Sequence, residues 1–263
     1  MSGPERARDV LDQYLRAVRA ALDAIEATQW PAIGEAAGRF AASILAGRLV
    51  HVFGTGHSRM AVEEMFPRYG SFPGFHPIVE LSMTYHNPVV GANGQRQAMF
   101  LENVQGFGPV LWRNFATTPA DCLLAISTSG GNAVTIDVAL EARRLGMFVV
   151  ALTSLPHARV STSKHDSGRK LFEVADLVLD QQAPAGDSAV WIDGLATPVA
   201  PISSVSGCTI ITLVKAETAR RLTEAGAPPK VLTAACHLGA AGAEALFEAT
   251  YDDYRRRVGV LYS

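Results

Sequence analysis

The residues best suited to chemistry in this chain stand in two short turns. One reads Ser127-Thr128-Ser129-Gly130-Gly131-Asn132 and follows an apolar run, Leu123 to Ile126. Behind it, Val134, Val138, Ala142 and Leu145 recur at the spacing of an amphipathic helix, and Gly146 stands where a helix stops. Strand, glycine turn and helix together present free backbone N–H groups and the positive end of a helix to an anion. The hydroxyls of Ser127, Thr128 and Ser129 can donate to phosphate oxygens, and Asn132 adds an amide. The turn has no lysine, so it is not the phosphate loop that requires Gly-Lys-Ser/Thr. The same residues also fit an ordinary strand-to-helix junction in which Ser and Asn cap the helix.

The second turn has a similar build. Leu49 to Phe53 (LVHVF) reads as a buried strand and runs at once into Gly54-Thr55-Gly56-His57-Ser58-Arg59. The Gly-x-Gly start invites a dinucleotide reading, yet the third glycine of that fingerprint is replaced by Arg59. The acidic residue needed about 20 positions on does not end a clear second strand either. NAD binding is therefore not expected, and a second glycine turn carrying a serine and a histidine remains. The seven histidines show no HxxxH or His–carboxylate ligand spacing, so no metal and no other cofactor is expected.

These turns need elements to position them. Glu5 to Thr28 is an amphipathic helix, with Val10, Leu11, Tyr14, Leu15, Val18, Leu22 and Ile25 at helical spacing. Pro31 suits the start of a second helix running to about Ala46. Both precede any strand, so they cover a sheet face or meet a partner subunit. His76 to Leu81 reads as a short strand, and Asn87 to Gly94 as a loop. Gln97 to Asn114 carries a helical pattern broken by Gly106, Gly108 and Pro109. Cys122 to Ser127, Met147 to Thr153 and Ala175 to Leu179 read as further strands; the helix between the first two makes a right-handed parallel βαβ unit. Gln181 to Pro201 has no periodicity, and a loop that long covers a site or a partner. Ser204 to Glu224 and Gly239 to Arg257 are two more helices. The expectation is one doubly wound α/β domain over residues 1–263, with helical extensions at both ends.

Composition narrows the class. With 48% hydrophobic and 18% charged residues, the chain can bury a substantial core. The net charge is −2, and the longest basic run, Arg255-Arg256-Arg257, fits a solvated helix end, so no nucleic-acid partner is expected. Three cysteines without CxxC spacing argue against a disulfide framework or zinc site and fit a reducing compartment. The start, MSGPERARDV, lacks the apolar core of a secretory signal, and no apolar run approaches the roughly 20 residues of a membrane helix. A cytoplasmic protein without membrane association is expected.

GTGHS at 54–58 and STSGGN at 127–132, at the carboxyl ends of parallel strands, with A-x-x-L-G before MFVVALT, resemble the sugar isomerase (SIS) domain. That family is a phosphosugar-binding, three-layer α/β sandwich of about five parallel strands. The resemblance covers about residues 35 to 225 and leaves 1–34 and 226–263 as helical extensions. The second motif is similar to the family's S-x-S-G-x-T phosphate loop, with Asn132 where the pattern has threonine, and the first to its G-x-G-x-S loop. The resemblance implies a sugar phosphate held by Ser127, Thr128, Ser129 and the N–H groups of Gly130, Gly131 and Asn132. Gly54, Thr55, Gly56, His57 and Ser58 would then face the sugar. The family includes aldose–ketose isomerases, N-acetylmuramate 6-phosphate etherase and sugar-phosphate sensors in regulators; this chain has no helix-turn-helix segment to spare.

Isomerase and etherase chemistry share a first step, in which a carboxylate removes the C2 proton acidified by the C1 carbonyl. Glu102, in FLENVQG, resembles the glutamate of the etherase's V-E-G-A-E segment and is the first candidate. Glu80, at an expected strand end, is the second; Glu63 and Glu64 read as a polar helix face. His237, in AACHLG, matches the C-terminal His or Lys that in this family commonly reaches an active site, often the neighbouring subunit's. The resemblance thus implies a homodimer. The expected function is a lyase or dehydratase acting on an N-acetylhexosamine 6-phosphate; the alternatives are an isomerase and a non-catalytic sensor.

Overall fold

A computed structural model describes residues 3–84 and 94–263 of the protein. Five strands, β1 (Val50–Gly54), β2 (Phe75–Ile78), β3 (Cys122–Ile126), β4 (Phe148–Thr153) and β5 (Leu177–Asp180), form one parallel sheet in the order β2-β1-β3-β4-β5. Around it run α1 (Gly3–Thr28), α2 (Trp30–Leu45), α3 (Arg59–Met65), α4 (Gly94–Leu101), α5 (Phe107–Trp112), α6 (Ala133–Arg144), α7 (Leu155–Val160), α8 (Leu171–Val174), α9 (Ser203–Glu224) and α10 (Ala235–Gly259).

The strands are mostly apolar because both sheet faces are covered. Val50 and Val52 of β1, Leu124 and Ile126 of β3, and Val150 and Leu152 of β4 pack on the face shared with α2, α3 and α9. Their alternates, Phe53, Leu123, Ala125, Val149 and Ala151, pack on the face shared with α5, α6 and α8. This is a three-layer α/β sandwich, as expected.

Several boundaries differ from the sequence reading. β2 ends at Ile78, so Glu80 does not end a strand; it caps a short 3-10 turn at Leu81–Met83 and accepts from the Ser82 N–H and hydroxyl. β5 begins two residues later than expected, because the Asp176 carboxylate turns back to accept from the Val149 N–H. Helices α7 and α8 were not expected, being too short to show a helical period. The last helix starts earlier than expected, at Ala235, and is kinked at Gly239, whose φ is 71°. The loop read at Asn87 to Gly94 lies outside the described residues, except that Gly94 opens α4.

Helix α1 fixes the long segment after β5. The Tyr14 hydroxyl donates to the Pro201 carbonyl (3.2 Å), and the Gln13 side-chain carbonyl accepts from the Trp191 N–H (3.0 Å). Ala21 packs with Ala183 and Ile202 beneath. An antiparallel bridge between Val190 and Val199 is the segment's one ladder contact among the described residues.

The amino ends of the strands carry a buried polar cluster. Asp121 accepts from Arg48 (2.7 Å) and from the N–H groups of Leu49 (3.0 Å) and Thr118 (2.7 Å). The Nδ1 atoms of His51 and His76 stand 2.9 Å apart, so one donates and the other accepts, and the two rings cannot both be protonated there. Burial pushes His51 down to about 3, helped by His76 and opposed by Asp121. Burial likewise pushes His76 down to about 4 against the pull of Asp121.

Among the described residues, no helix is long and apolar enough to cross a membrane.

Candidate functional site

The strand order reverses between β1 and β3. Parallel sheets of this order bind ligands at that point, in the crevice outside the carboxyl ends of the strands. Both glycine turns open there, the first from Gly54 and the second from Ser127. A cavity of about 430 Å³ lies over them, within the roughly 300–1,000 Å³ range of small-ligand sites.

Glu102 ties the two turns together. It follows the last residue of α4, and its carbonyl accepts from the Val134 N–H (3.0 Å) in the first turn of α6. Its carboxylate accepts from the Thr55 hydroxyl at 2.8 Å, and the Asn132 amide approaches that hydroxyl at 3.5 Å. The side chain lines the cavity yet the residue is only 6% exposed. Burial raises its pKa above the usual carboxylate range, and Thr55, Lys164 and Asn132 pull it partly back. A carboxylate moved toward neutrality in this way suits a general base.

The segment carrying Lys164 is fastened on three sides. Its N–H donates to the Gly131 carbonyl (2.9 Å), and the Asp166 N–H donates to Gln105 (2.8 Å). His165 accepts the Ser167 N–H on Nδ1 (3.1 Å), so its Nε2 carries the proton given to Asp137 (3.0 Å).

Of the residues expected to hold substrate, Thr55, Gly56, His57, Ser58, Ser127, Thr128, Ser129 and Asn132 line the cavity. Gly54, Gly130 and Gly131 shape it from behind. A Cβ on Gly54 would lie 3.1 Å from that of Ser58, and one on Gly131 would lie 2.7 Å from the Thr162 carbonyl. The expectation that the Gly130 and Gly131 N–H groups face an anion needs correction. Gly130 donates to the Ser127 carbonyl and hydroxyl oxygens (both 3.1 Å), and Gly131 makes a long bond to the Ser129 hydroxyl (3.4 Å). The hydroxyls, more than these two amides, are therefore left to meet a ligand.

The structure does not bring the other expected catalytic residues to this cavity. Glu80 is absent from its lining, and His237 lies exposed at the start of α10. In their place stands a wall that the sequence reading missed: His157 on α7, Gln181 after β5, Asp187 in the long loop, and Ser203, Ser204, Gly207 and Cys208 on α9. The Gly186 N–H donates to His157 Nδ1 (3.0 Å), which leaves the ring proton on Nε2. Asp187 accepts from the N–H groups of Ile202 (3.1 Å) and Ser203 (2.8 Å) and from the Ser203 hydroxyl. The signal for this wall was the aperiodic stretch from 181, which contains Gln181 and Asp187; nothing in the composition of α9 singled out its first residues. Among the described residues, no group of three or more His, Cys, Asp or Glu side chains is placed to hold a metal ion.

A parallel sheet with two glycine turns and a buried carboxylate at its switch point defines a strand-end binding protein of the doubly wound class. Residues 13–154 match the SIS domain, more than half of the chain, and the protein belongs to this phosphosugar-binding family. A UPF0309 protein of Oceanobacillus iheyensis is 36% identical over 75% of this chain and 78% of its own length. One from Geobacillus thermodenitrificans is 31% identical over 96% of this chain and 98% of its own. Among solved structures, a phosphoheptose isomerase from Francisella tularensis has the same fold. Its TM-score is 0.50 at 19% identity, over 83% of this chain and 98% of that one.

Proposed function

We propose that the protein is a lyase or dehydratase acting on an N-acetylhexosamine 6-phosphate, with Glu102 as the base that takes the C2 proton. One observation carries the reading: a buried carboxylate of raised pKa hydrogen-bonded between the two glycine turns. The phosphate meets the hydroxyls of Ser127, Thr128 and Ser129, and the open-chain sugar extends toward Thr55 and Ser58. With the C1 carbonyl acidifying C2–H, Glu102 accepts the proton, the electron pair forms the C2–C3 double bond as the C3–O bond breaks, and the proton passes from Glu102 to the departing oxygen, which leaves as water or an alcohol. On a phosphosugar with a hydroxyl at C2, returning the proton to C1 would give a ketose instead, so the isomerase reading uses the same base.

This reading also takes the working unit to be a homodimer, because His237 is exposed on its own chain and would serve a cavity only across a subunit boundary. There a neutral imidazole could shuttle a proton between O1 and O5 to open the ring. The reading also locates the protein in the cytoplasm, on three cysteines without CxxC spacing, which fit a reducing compartment.

The test is NMR of N-acetylglucosamine 6-phosphate with the protein in D2O. Exchange at C2 with loss of the C3 substituent supports elimination, and ketose formed from glucose 6-phosphate, which carries the C2 hydroxyl a ketose needs, supports isomerisation. Absence of exchange leaves a binding protein and overturns the enzyme reading. Glu102→Gln should keep binding and lose about 10²–10⁴ in exchange rate.

A further inference from the structure

The far wall of the cavity holds a polar group with nothing to bind. Gln181 lines the cavity, is 2% exposed, and its side-chain Nε2 is buried without a hydrogen-bond partner. Buried amide groups in folded proteins are nearly always paired, so an orphan in a cavity wall points to an acceptor brought by a ligand. The residue is held in place. Its N–H donates to the Thr153 carbonyl (2.9 Å), and its side-chain oxygen lies against α9, 2.9 Å from where a Cβ on Gly207 would stand.

The surroundings decide which acceptor fits. No lysine or arginine is among the described residues that line the cavity, and Asp187 fixes a carboxylate in the same wall. His157 adds a second neutral donor, its Nε2–H, because Nδ1 is occupied by the Gly186 N–H. A wall with neutral donors, one fixed negative charge and no cation accepts a carbonyl oxygen and repels a second anion. The phosphate turn follows β3 and Gln181 follows β5, two strands or roughly 10 Å along the sheet. One ligand held at its phosphate can therefore address both.

We propose that Gln181 sets the specificity of the site by donating from its side-chain amide to the carbonyl oxygen of an N-acyl group on the phosphosugar. The proposal rests on the phosphosugar reading above and adds what that reading leaves open. The acyl group is recognised by the β5 end of the cavity, and a sugar carrying a further carboxylate there is disfavoured.

Calorimetric titration with three probes tests it: N-acetylglucosamine 6-phosphate, glucosamine 6-phosphate and glucose 6-phosphate. The wild type should bind the N-acetylated probe about tenfold more tightly than glucose 6-phosphate, as expected for one buried hydrogen bond. Gln181→Leu, of similar volume but without donors, should lose that preference while keeping its affinity for glucose 6-phosphate. Equal wild-type affinity for the N-acetylated and plain sugars overturns the assignment of Gln181 and leaves the phosphosugar reading standing. The same holds if Gln181→Leu keeps the full preference. Failure of all three probes to bind, at concentrations where inorganic phosphate is also not held, overturns the phosphosugar reading itself. The wild-type comparison needs no variant, so a poorly folded Gln181→Leu would not shield the proposal.

Discussion

Replacing Thr55 by Val would remove the hydroxyl that holds Glu102 while nearly preserving shape. Both residues are 6% exposed, so water cannot readily take the hydroxyl's place. A hydrogen bond to a charged group contributes about 1.5–3 kcal/mol, and 1.36 kcal/mol is one pKa unit, so the Glu102 pKa should rise by about 1–2 units. The direction follows from the existing balance, in which burial raises this pKa and Thr55 is the largest influence lowering it. A general base works only when deprotonated. The acid limb of kcat/KM should therefore move about 1–2 units to higher pH. Activity below the limb should fall roughly tenfold to a hundredfold, and the alkaline plateau should stay. C2 proton exchange measured across pH gives the limb, and the 13C shift of the labelled Glu102 carboxyl gives the titration without needing turnover. Thr55→Ser, which restores the hydroxyl, should restore the wild-type limb. A Thr55→Val limb left at its wild-type position, or moved to lower pH, would refute the coupling.

The remaining predictions concern binding, acid stability and assembly. Ser129→Ala should weaken N-acetylglucosamine 6-phosphate binding by about one to two decades in a titration and leave the melting temperature unchanged, since the lost contact is a hydrogen bond to a charged group of about 1.5–3 kcal/mol. Acid should destabilise the fold through His51 and His76, which are held neutral when folded but protonate near 6.5 when unfolded. Their contribution is full above pH 6.5 and lost as pH falls toward 4, by about 2 kcal/mol each at pH 5; denaturation curves of the wild type should lose more stability between pH 7 and 5 than those of a His51→Gln, His76→Gln variant, and parallel losses would count against it. Mixing His237→Ala with Glu102→Gln under verified subunit exchange should restore part of the activity if His237 serves the partner's cavity, and two parents that stay inactive would end that idea.

The sheet was legible because its strands announce themselves. Five apolar runs, three of them leading straight into turn residues, fix strand number and direction once a crossover must be right-handed. The first two turns were legible for the same reason: glycine beside serine after a buried strand has few other uses. Glu102 was readable only through resemblance, since its burial depends on α4 docking between the turns, a long-range contact with no local pattern. Glu80 was misread as a strand end because HPIVEL has the composition of a strand, whereas the Glu80 carboxylate closes a local turn with Ser82. The far wall was illegible for a different reason. Gln181, Asp187 and the start of α9 meet through long-range contacts, Asp187 bonding the start of α9 and α1 clamping the loop between them, and no spacing in the sequence encodes them.

The two ends of the sheet use their polar groups in opposite ways, and that contrast separates the residues of the fold from the residues of the site. At the amino ends, Arg48, Asp121, His51 and His76 serve mainly one another, with His51 Nε2 left without a partner, and Asp121 alone satisfies donors from two segments. Removing one member leaves others buried without partners, which costs about 1–3 kcal/mol for each stranded group, so changes there should lower stability with no effect on which ligand is bound. At the carboxyl ends the bonding is left incomplete. Burial raises the Glu102 pKa, and Gln181 Nε2 has no partner. Groups in that condition gain more from a ligand than from the protein around them. Changes at this end should therefore alter affinity and pH dependence before they alter the melting temperature, and the two kinds of variant can be told apart by measuring both.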